Sequence, residues 1–370
     1  MGKNWMTQLF KLEGAVTSDK DPHDNVIRSH SPSVNLTFGR GHGLPYGLSL
    51  ALGGAPRSGK TLLSLDMAGW LHQHDKEAIV LRFDTEFRTS AQGTPRDRAR
   101  IWGIDPDRFL SIETNSPMDI FDSIENSIAA QCQEGMPLRL VIIDSINGIK
   151  GRRSMNQDSI ETQNIGDEAL TLGAGFRRIL GVQRKYGFAV ILTCQIRAQM
   201  DQLEIKRGNK LRLSMPFAVQ HYAEYHMSVE KDRNVTGRTD LAGNEFRDEE
   251  AGDIEGKGDQ TGHKIRARML DNSCGPKGRL ASFTIDYTKG VINQFEEIAV
   301  LAINRGILER PNNLTYVFGE RKWAGKPSLL DAIKNDQTLQ EELMNEIFSQ
   351  DKQGKFQADD DKAAAELDSD

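Results

Sequence analysis

The chain has 370 residues, of which 38% are hydrophobic and 27% are charged, a composition typical of one large or two modest globular domains. No apolar run approaches the roughly 20 residues that a membrane-spanning helix needs, and no basic segment followed by an apolar core marks a secretory signal at the N-terminus. The three cysteines, Cys132, Cys194 and Cys274, have no paired spacing. This pattern excludes a disulfide scaffold and a cysteine zinc site, and it favours a reducing, cytoplasmic compartment without membrane contact.

The formal net charge of −6 is concentrated at the C-terminus. Residues 359–370 carry six acids and one base, a net charge of −5, which leaves a net charge of about −1 for the rest of the chain. An acidic total therefore does not exclude a nucleic-acid partner, because the body of the chain can still carry a basic face.

A glycine-rich stretch near residue 54 fits the phosphate-binding pattern G-x-x-x-x-G-K-[ST]. Its eight residues are Gly54, Ala55, Pro56, Arg57, Ser58, Gly59, Lys60 and Thr61. A strand-like apolar run, residues 48–53, precedes the stretch, and a helix-like run begins at residue 62. A single match of this kind can arise by chance, but this strand-loop-helix context is the one that a phosphate-binding loop requires.

The residue types of this loop suit a bound polyphosphate. Gly54 and Gly59 allow a tight turn that brings backbone N–H groups close to phosphate oxygens, and the following helix directs its positive end at the same anion. Lys60 supplies a charge for the β- and γ-phosphates, and Thr61 offers a hydroxyl to Mg²⁺. A plain glycine-rich turn is the alternative, but it does not explain why Lys-Thr opens the helix.

Apolar strands alternate with helices along most of the chain. Runs of apolar residues predict strands at residues 78–83, 109–112, 138–143, 188–193, 223–229, 264–270 and 280–285. Helical spacing predicts helices at residues 118–133 and 167–185. This alternation predicts an α/β fold with a mostly parallel central sheet, in which functional side chains gather at the carboxyl ends of the strands.

Three polar residues follow or end these predicted strands. Asp144 is expected to hold the Mg²⁺ shell beside the loop, the alternative being a helix-capping or turn aspartate. Glu86 is a candidate to orient a water molecule for attack on a γ-phosphate, and a solvated loop carboxylate is the alternative. Gln195 either senses a γ-phosphate or caps a turn, and the residues alone leave both interpretations open.

Two stretches, residues 150–165 and 197–212, are basic and predicted to be irregular. The bases in them are Lys150, Arg152, Arg153, Arg197, Lys206, Arg207, Lys210 and Arg212. Basic loops of this kind indicate contact with a nucleic-acid backbone, and a solvated charge run is the alternative. Further along, the polar, acidic residues 231–262 are predicted to form a mobile insertion. A small unit with a hairpin at residues 316–323 and helices at residues 329–348 precedes the acidic tail.

The order of these pieces resembles the RecA family of DNA strand-exchange recombinases from about Val34 to the tail. The resemblance is carried by the entry motif Gly-Leu-Pro-x-Gly at Gly43, the loop at Gly54, Asp84-Thr85-Glu86, and residues 103–108, 141–145 and 195–197. Length and layout are also similar to the phage UvsX branch, so a host cytoplasm is the expected location for a phage-encoded chain.

The resemblance implies roles at the matching positions. Lys60 and residues 54–61 bind ATP, Thr61 and Asp144 support Mg²⁺, Glu86 is similar to the catalytic glutamate, and Gln195 is similar to the γ-phosphate sensor. Residues 150–165 and 196–213 correspond to the two DNA-binding loops. The paired lysines of bacterial RecA are missing near residue 270. Asp271 and Pro276 resemble instead the archaeal and eukaryotic pattern, in which an Asp before a Pro caps the neighbouring subunit's nucleotide.

The resemblance further implies a RecA-like P-loop NTPase core with a short N-terminal oligomerisation segment and a small α+β C-terminal domain. The expected boundaries are residues 1–33, 34–294, 295–350 and an acidic tail at 351–370, with the insertion at 231–262 inside the core. The implied function is an ATP-dependent recombinase that forms helical homo-oligomeric filaments on single-stranded DNA and pairs them with duplex DNA. Single-strand-binding and mediator proteins are possible partners. The alternatives are a RecA-core ring helicase and an ATP-gated DNA-binding or regulatory protein without strand exchange.

Overall fold

The structure is a computed structural model and describes residues 25–88, 99–151, 166–200, 202–206, 211–232, 238–239, 245–246, 259–260, 262–312 and 314–352. Predictions about residues 1–24, about most of the 231–262 insertion and about the tail from residue 353 onward lie outside these ranges. Within the described ranges, no helix is both long enough and apolar enough to cross a lipid bilayer.

The described strands are β1 (Val26–Ile27), β2 (Leu44–Pro45), β3 (Ser49–Gly53), β4 (Ile79–Asp84), β5 (Phe109–Glu113), β6 (Leu138–Asp144), β7 (Ala189–Ala198), β8 (Leu211–Ser214), β9 (Tyr225–Lys231), β10 (Arg238–Thr239), β11 (Glu245–Phe246), β12 (Asp259–Gln260), β13 (Gly262–Asn272), β14 (Leu280–Asp286), β15 (Gly290–Val291), β16 (Glu309–Asn312), β17 (Thr315–Phe318) and β18 (Arg321–Ala324).

The described α-helices are α1 (Pro32–Thr37), α2 (Lys60–His74), α3 (Pro117–Asp122), α4 (Ala129–Gln133), α5 (Asp167–Tyr186), α6 (Gln202–Lys206), α7 (Phe217–Gln220), α8 (Gln294–Asn304), α9 (Gly325–Asn335) and α10 (Gln337–Lys352). A π-helical turn, Ser123–Ile128, joins α3 to α4. A short 3₁₀ turn, Ile146–Gly148, follows β6.

A large central sheet runs through the molecule in the order β15-β14-β13-β9-β3-β7-β6-β4-β5. The six strands from β9 to β5 are parallel to one another, whereas β13, β14 and β15 extend the sheet with antiparallel pairs. The predicted mostly parallel α/β fold is therefore confirmed. Its carboxyl strand ends meet at one edge, where the loop after β3 also lies.

The parallel strands are apolar on both faces because helices cover both sides of the sheet. Strand β4 illustrates the alternation: Val80 packs into the apolar cluster that contains α2, and Leu81 and Phe83 pack into the cluster formed with α3 and α5. Residues on the α2 face of a strand therefore approach the start of α2 as the strand reaches its carboxyl end.

A separate apolar cluster is built on α8, α9, α10 and the small antiparallel sheet β16-β17-β18, and Leu36 of α1 also belongs to it. The last turn of α10 contacts the rest of the molecule through Asp351, whose Oδ2 accepts hydrogen bonds from His42 Nε2 (3.0 Å) and Arg279 Nη1 (2.9 Å). The His42 ring stacks on Phe348 with 4.1 Å between ring centroids. These buried polar contacts fix the end of α10 against the core.

One prediction about the sheet is wrong. The strand expected at residues 188–193 continues to Ala198, and its extension pairs with the antiparallel strand β8. The segment 197–212 is therefore not irregular throughout, because the backbone groups of the extension find hydrogen-bond partners in β8.

Candidate functional site

The glycine-rich loop connects β3 to α2, as the sequence pattern predicts. Gly59 has φ 102°, in the left-handed region that favours glycine, and a Cβ atom there would lie 2.4 Å from Ile265 Cδ1. A Cβ atom at Gly54 would lie 2.4 Å from the backbone oxygen of Val229. Gly59 is therefore required by its backbone conformation and by the close approach of β13, and Gly54 by the close approach of β9.

Lys60 begins α2 and reaches back over the loop. Its Nζ donates to the backbone oxygens of Gly54 (2.8 Å) and Ala55 (2.9 Å). Burial lowers the pKa of Lys60, and the charge of Asp144 opposes this effect. The positive end of a 15-residue helix and an ammonium group thus converge on the same loop, and this combination suits a phosphate group.

Asp144, at the end of β6, is the centre of the polar contacts below the loop. Its Oδ2 accepts from Thr61 Oγ1 (2.9 Å) and from Arg82 Nη2 (2.8 Å), and its Oδ1 accepts from Thr193 Oγ1 (2.6 Å). The structure thus brings together Thr61 and Asp144, the two residues predicted to support a metal ion. A hydroxyl and a carboxylate are oxygen ligands of the kind that Mg²⁺ takes, so their chemistry fits this cation.

Among the described residues, no group of three or more His, Cys, Asp and Glu side chains is arranged to hold a metal ion. Mg²⁺ in nucleotide sites is usually held by one or two protein oxygens together with substrate phosphates and water. The Thr61–Asp144 pair matches this arrangement better than it matches a metal site built from protein ligands alone.

Arg82 and Thr193 do not stand out among the residues that the sequence patterns predict as functional. Arg82 lies inside β4, a strand that the sequence predicts as apolar, and its guanidinium is buried between Asp144 and Asp84. The available signal was a lone arginine in an otherwise apolar strand, because such a residue is rarely buried without a charged partner. Thr193 carries no comparable signal, since threonine is common in strands.

Glu86 lies two residues beyond the end of β4 and points to the segment that follows Asp144. Its Oε1 accepts from Ser145 Oγ (2.9 Å), and its other oxygen pairs with Arg88. Thr85 holds the same two segments together, because its Oγ1 accepts a hydrogen bond from the Ser145 backbone N–H (2.9 Å). The glutamate is thereby held at the edge of the sheet where the loop lies.

Gln195 lies within the extended β7 rather than at the end of this strand, and Gln195 is exposed to solvent. Its backbone N–H donates to Asn147 Oδ1 (2.8 Å), and Asn147 Nδ2 donates to the backbone oxygen of Ser214 in β8 (2.9 Å). Asn147 therefore bridges both strands of the β7–β8 pair. Sequence patterns do not reveal this role, because an asparagine after a strand usually indicates only a turn.

Three curated proteins similar to this chain carry the name protein RecA. Protein RecA of Mycoplasmopsis pulmonis (strain UAB CTIP) is 24% identical over 332 residues, which cover 89% of this chain and 86% of that protein. Protein RecA of Mesomycoplasma hyopneumoniae (strain 7448) is 25% identical over 347 residues, 93% of this chain and 91% of that protein. Protein RecA of Oleidesulfovibrio alaskensis is 25% identical over 334 residues, 89% and 84% respectively. The chain is similar to proteins named RecA over about nine tenths of its length. No protein-family model matches it.

The predicted DNA-contacting residues lie partly within the described structure. Arg197 in β7 lies directly opposite Arg212 in β8, and both are exposed. Lys206 ends the short helix α6 and is also exposed. Arg152, Arg153, Arg207 and Lys210 lie outside the described residues. Two like charges at directly opposed positions destabilise a strand pair unless an anion neutralises them.

Asp271 and Pro276 are not brought to the loop of their own chain. The register of the sheet aligns Arg268 with Ser228 and Ser228 with Gly53, so the loop lies beside the earlier residues of β13. Asp271 is further along β13, beyond a β-bulge and towards the opposite edge of the sheet. These two residues are therefore separated from the glycine-rich loop of their own chain.

Proposed function

We propose that this chain is an ATP-dependent DNA recombinase that forms filaments on single-stranded DNA and catalyses homologous pairing and strand exchange. One observation carries the proposal: the glycine-rich loop and the basic strand pair β7–β8 meet at one edge of the sheet. The Asn147 bridge links that strand pair to the segment after Asp144. The similarity to proteins named RecA over about nine tenths of the chain supports this function.

For nucleotide chemistry, the loop amides, the start of α2 and Lys60 bind the phosphates of ATP. Thr61 and Asp144 would hold Mg²⁺, which when bound supplies positive charge against the charge developing on the phosphates. Glu86 orients the attacking water and accepts its proton, and its contacts with Ser145 and Arg88 fix the carboxylate for that role.

For DNA binding, the opposed pair Arg197 and Arg212 offers two guanidinium groups to a phosphate backbone. Phosphate contacts relieve the repulsion between these two charges, so DNA stabilises the strand pair that binds it. Lys206, together with Arg207, Lys210, Arg152 and Arg153, extends the proposed basic surface. Gln195 lies in the same strand as Arg197 and would couple this surface to the γ-phosphate.

For assembly, Asp271 and Pro276 lie towards the opposite sheet edge from the loop, so a subunit can present them to its neighbour's nucleotide. A contact between two different faces is head-to-tail, and repeating it without closure produces a helical filament. We propose residues 1–33 as the oligomerisation segment, residues 34–294 as the ATPase core with the insertion at 231–262, and residues 295–350 as the C-terminal domain. We also propose an acidic tail at 351–370, although residues 351 and 352 still belong to α10. Single-strand-binding and mediator proteins as partners, and a cytoplasmic location, complete the proposal.

The substitution Glu86→Gln tests the catalytic part. The amide cannot act as a base and orients water poorly, so we expect ATP binding close to wild type and a loss of DNA-stimulated hydrolysis of about 100-fold or more. Negative-stain images with ATP and single-stranded DNA should show filaments that persist.

The matched control is Glu125→Gln. This substitution also removes a surface Glu–Arg pair, between Glu125 and Arg178, but at a position away from the loop. It should hydrolyse ATP like wild type. Hydrolysis retained in Glu86→Gln would remove Glu86 from the catalytic role, whereas closed rings in the images, or a lack of strand exchange by wild type, would contradict the recombinase.

A further inference from the structure

The buried guanidinium of Arg82 lies at the place where a metal ion and phosphates are proposed to bind. Its side chain is 9% exposed, and its Nη2 is 2.8 Å from Asp144 Oδ2 and 3.7 Å from Asp84 Oδ2. Arg82 belongs to the α2 face of β4, where Val80 two residues earlier packs into the α2 cluster. The arginine is therefore part of the floor beneath the start of α2.

The oxygen that Arg82 contacts is also the oxygen that Thr61 contacts. Thr61 Oγ1 donates to Asp144 Oδ2 at 2.9 Å, so hydroxyl and guanidinium share a single carboxylate oxygen. A carboxylate already paired with a fixed cation attracts a divalent cation less strongly than an unpaired one does. The pairing must therefore affect how strongly this site depends on Mg²⁺.

The local charges balance within the protein itself. Lys60 and Arg82 carry two positive charges, and Asp84 and Asp144 carry two negative charges. The nearby Glu86 and Arg88 form one further pair of opposite charges. Without Arg82, phosphates approaching the loop would meet an excess of buried negative charge, and Mg²⁺ would have to neutralise it. With Arg82, part of this neutralisation is permanent.

We propose that Arg82 is a positioning residue that acts as a built-in counter-cation for Asp144 and thereby sets how strongly nucleotide binding depends on Mg²⁺. This inference rests on the proposed nucleotide-binding function. The measurable quantity is a ratio: the Kd for nucleotide with excess EDTA divided by the Kd with excess Mg²⁺.

Three substitutions shift this ratio in different directions. Arg82→Gln leaves Asp84 and Asp144 without the guanidinium, so metal-free nucleotide binds more weakly and the ratio rises by about tenfold or more. Arg82→Lys keeps the charge, and the ratio stays within about threefold of wild type. Asp84→Asn removes the competing carboxylate, so Arg82 neutralises Asp144 more fully and the ratio falls.

The experiment is a fluorescence titration of the full chain with N-methylanthraniloyl-ATP under both conditions. The matched control is Arg139→Gln, which removes an Arg–Asp pair with Asp75 at the other end of β6 in the same sheet. The control should leave the ratio unchanged. Thermal melting establishes that each variant is folded.

The outcomes separate the role of Arg82 from the proposed function. Wild-type protein that binds no nucleotide in either condition would contradict the proposed function. If wild type binds nucleotide, three results would each overturn the role of Arg82. The first is an unchanged ratio in Arg82→Gln. The others are a ratio that rises in Arg139→Gln, or in Arg82→Lys, as much as it rises in Arg82→Gln. Should Arg82→Gln not fold, Asp84→Asn decides: a lower ratio supports the role, and an unchanged or higher ratio overturns it.

Discussion

At the scale of single residues, Glu297 in the first turn of α8 is the clearest case of a carboxylate forced out of water. Its Oε2 accepts from Ser31 Oγ (2.6 Å) and from the Ser33 N–H (3.1 Å). Burial raises the pKa of Glu297 from 4.5 to about 7; the serine hydrogen bonds oppose the rise and the charge of Asp66 adds to it. The side chain therefore stays protonated to a higher pH in the folded chain than in the unfolded chain.

This difference predicts a pH-dependent stability. The contribution of Glu297 is fully present below pH 4.5 and is lost as the pH rises through about 7, because ionisation is easier in the unfolded chain. The loss amounts to about 3 kcal/mol. We expect Glu297→Gln to flatten the dependence of the free energy of unfolding on pH between pH 5 and 8, measured by urea denaturation.

The control for this prediction is Glu296→Gln, a neighbouring exposed carboxylate paired with Lys326, which should keep the wild-type slope. Some slope remains in Glu297→Gln, since His30 also titrates: burial alone would lower the pKa of His30, but Asp66 outweighs it and the net change is a rise. A Glu297→Gln slope equal to wild type would show that Glu297 is not the titrating group.

At the scale of elements, Asn147 joins the 3₁₀ turn after β6 to the pair β7–β8. One side chain contacts both strands, through the Gln195 N–H and the Ser214 carbonyl. The two proposed DNA-binding segments continue from these elements: residues 150–165 follow the turn, and residues 196–213 lie between the two contacts. A conformational change at the proposed nucleotide site can therefore be transmitted to both segments through the side-chain amide of Asn147.

We expect Asn147→Ala to weaken this coupling. Nucleotide affinity should be unchanged, while the preference of single-stranded DNA binding for ATP over ADP should fall by about fivefold, the effect of a lost hydrogen bond. Fluorescence anisotropy with a labelled oligonucleotide measures the preference. Asn126→Ala, which removes only a local helical contact to Asp122, is the control. A preference retained in Asn147→Ala would place the signal elsewhere, for example at the subunit contact around Asp271.

The elements also show how far sequence reasoning reaches. The loop, β4, β6 and the long helix α5 follow from local patterns, since turn chemistry and apolar periodicity act within a few residues. The extension of β7 does not, because it depends on pairing with β8, more than ten residues away. The Arg82–Asp144 and Asn147–Ser214 contacts are likewise long-range, so only three-dimensional proximity reveals these roles.

At the scale of the whole molecule, charge is distributed unevenly. The acidic residues at 359–370, net −5, follow a body that is nearly neutral and exposes Arg197, Lys206 and Arg212. Acidic residues compete with DNA phosphates for such bases, and salt or Mg²⁺ screens this competition. We expect deletion of residues 359–370 to strengthen duplex binding at low Mg²⁺ concentration and to have little effect at high concentration.

A matched control keeps the composition of residues 359–370 but shuffles their order, which preserves the charge and should behave like wild type. Duplex affinity, followed across a Mg²⁺ titration, is the measurement. Equal affinity of the deleted and intact chains at every Mg²⁺ concentration would mean that the tail does not restrain binding.

The contact of Asp351 with His42 and Arg279 determines where such a chain can be cut. A chain that stops after Lys352 keeps both hydrogen bonds and lacks only the residues beyond α10. A chain that stops two residues earlier would leave the buried His42 and the partly buried Arg279 without this acceptor, at a cost in stability of roughly 1–3 kcal/mol. The usable boundary for separating the influence of the tail from that of folding therefore lies immediately after α10.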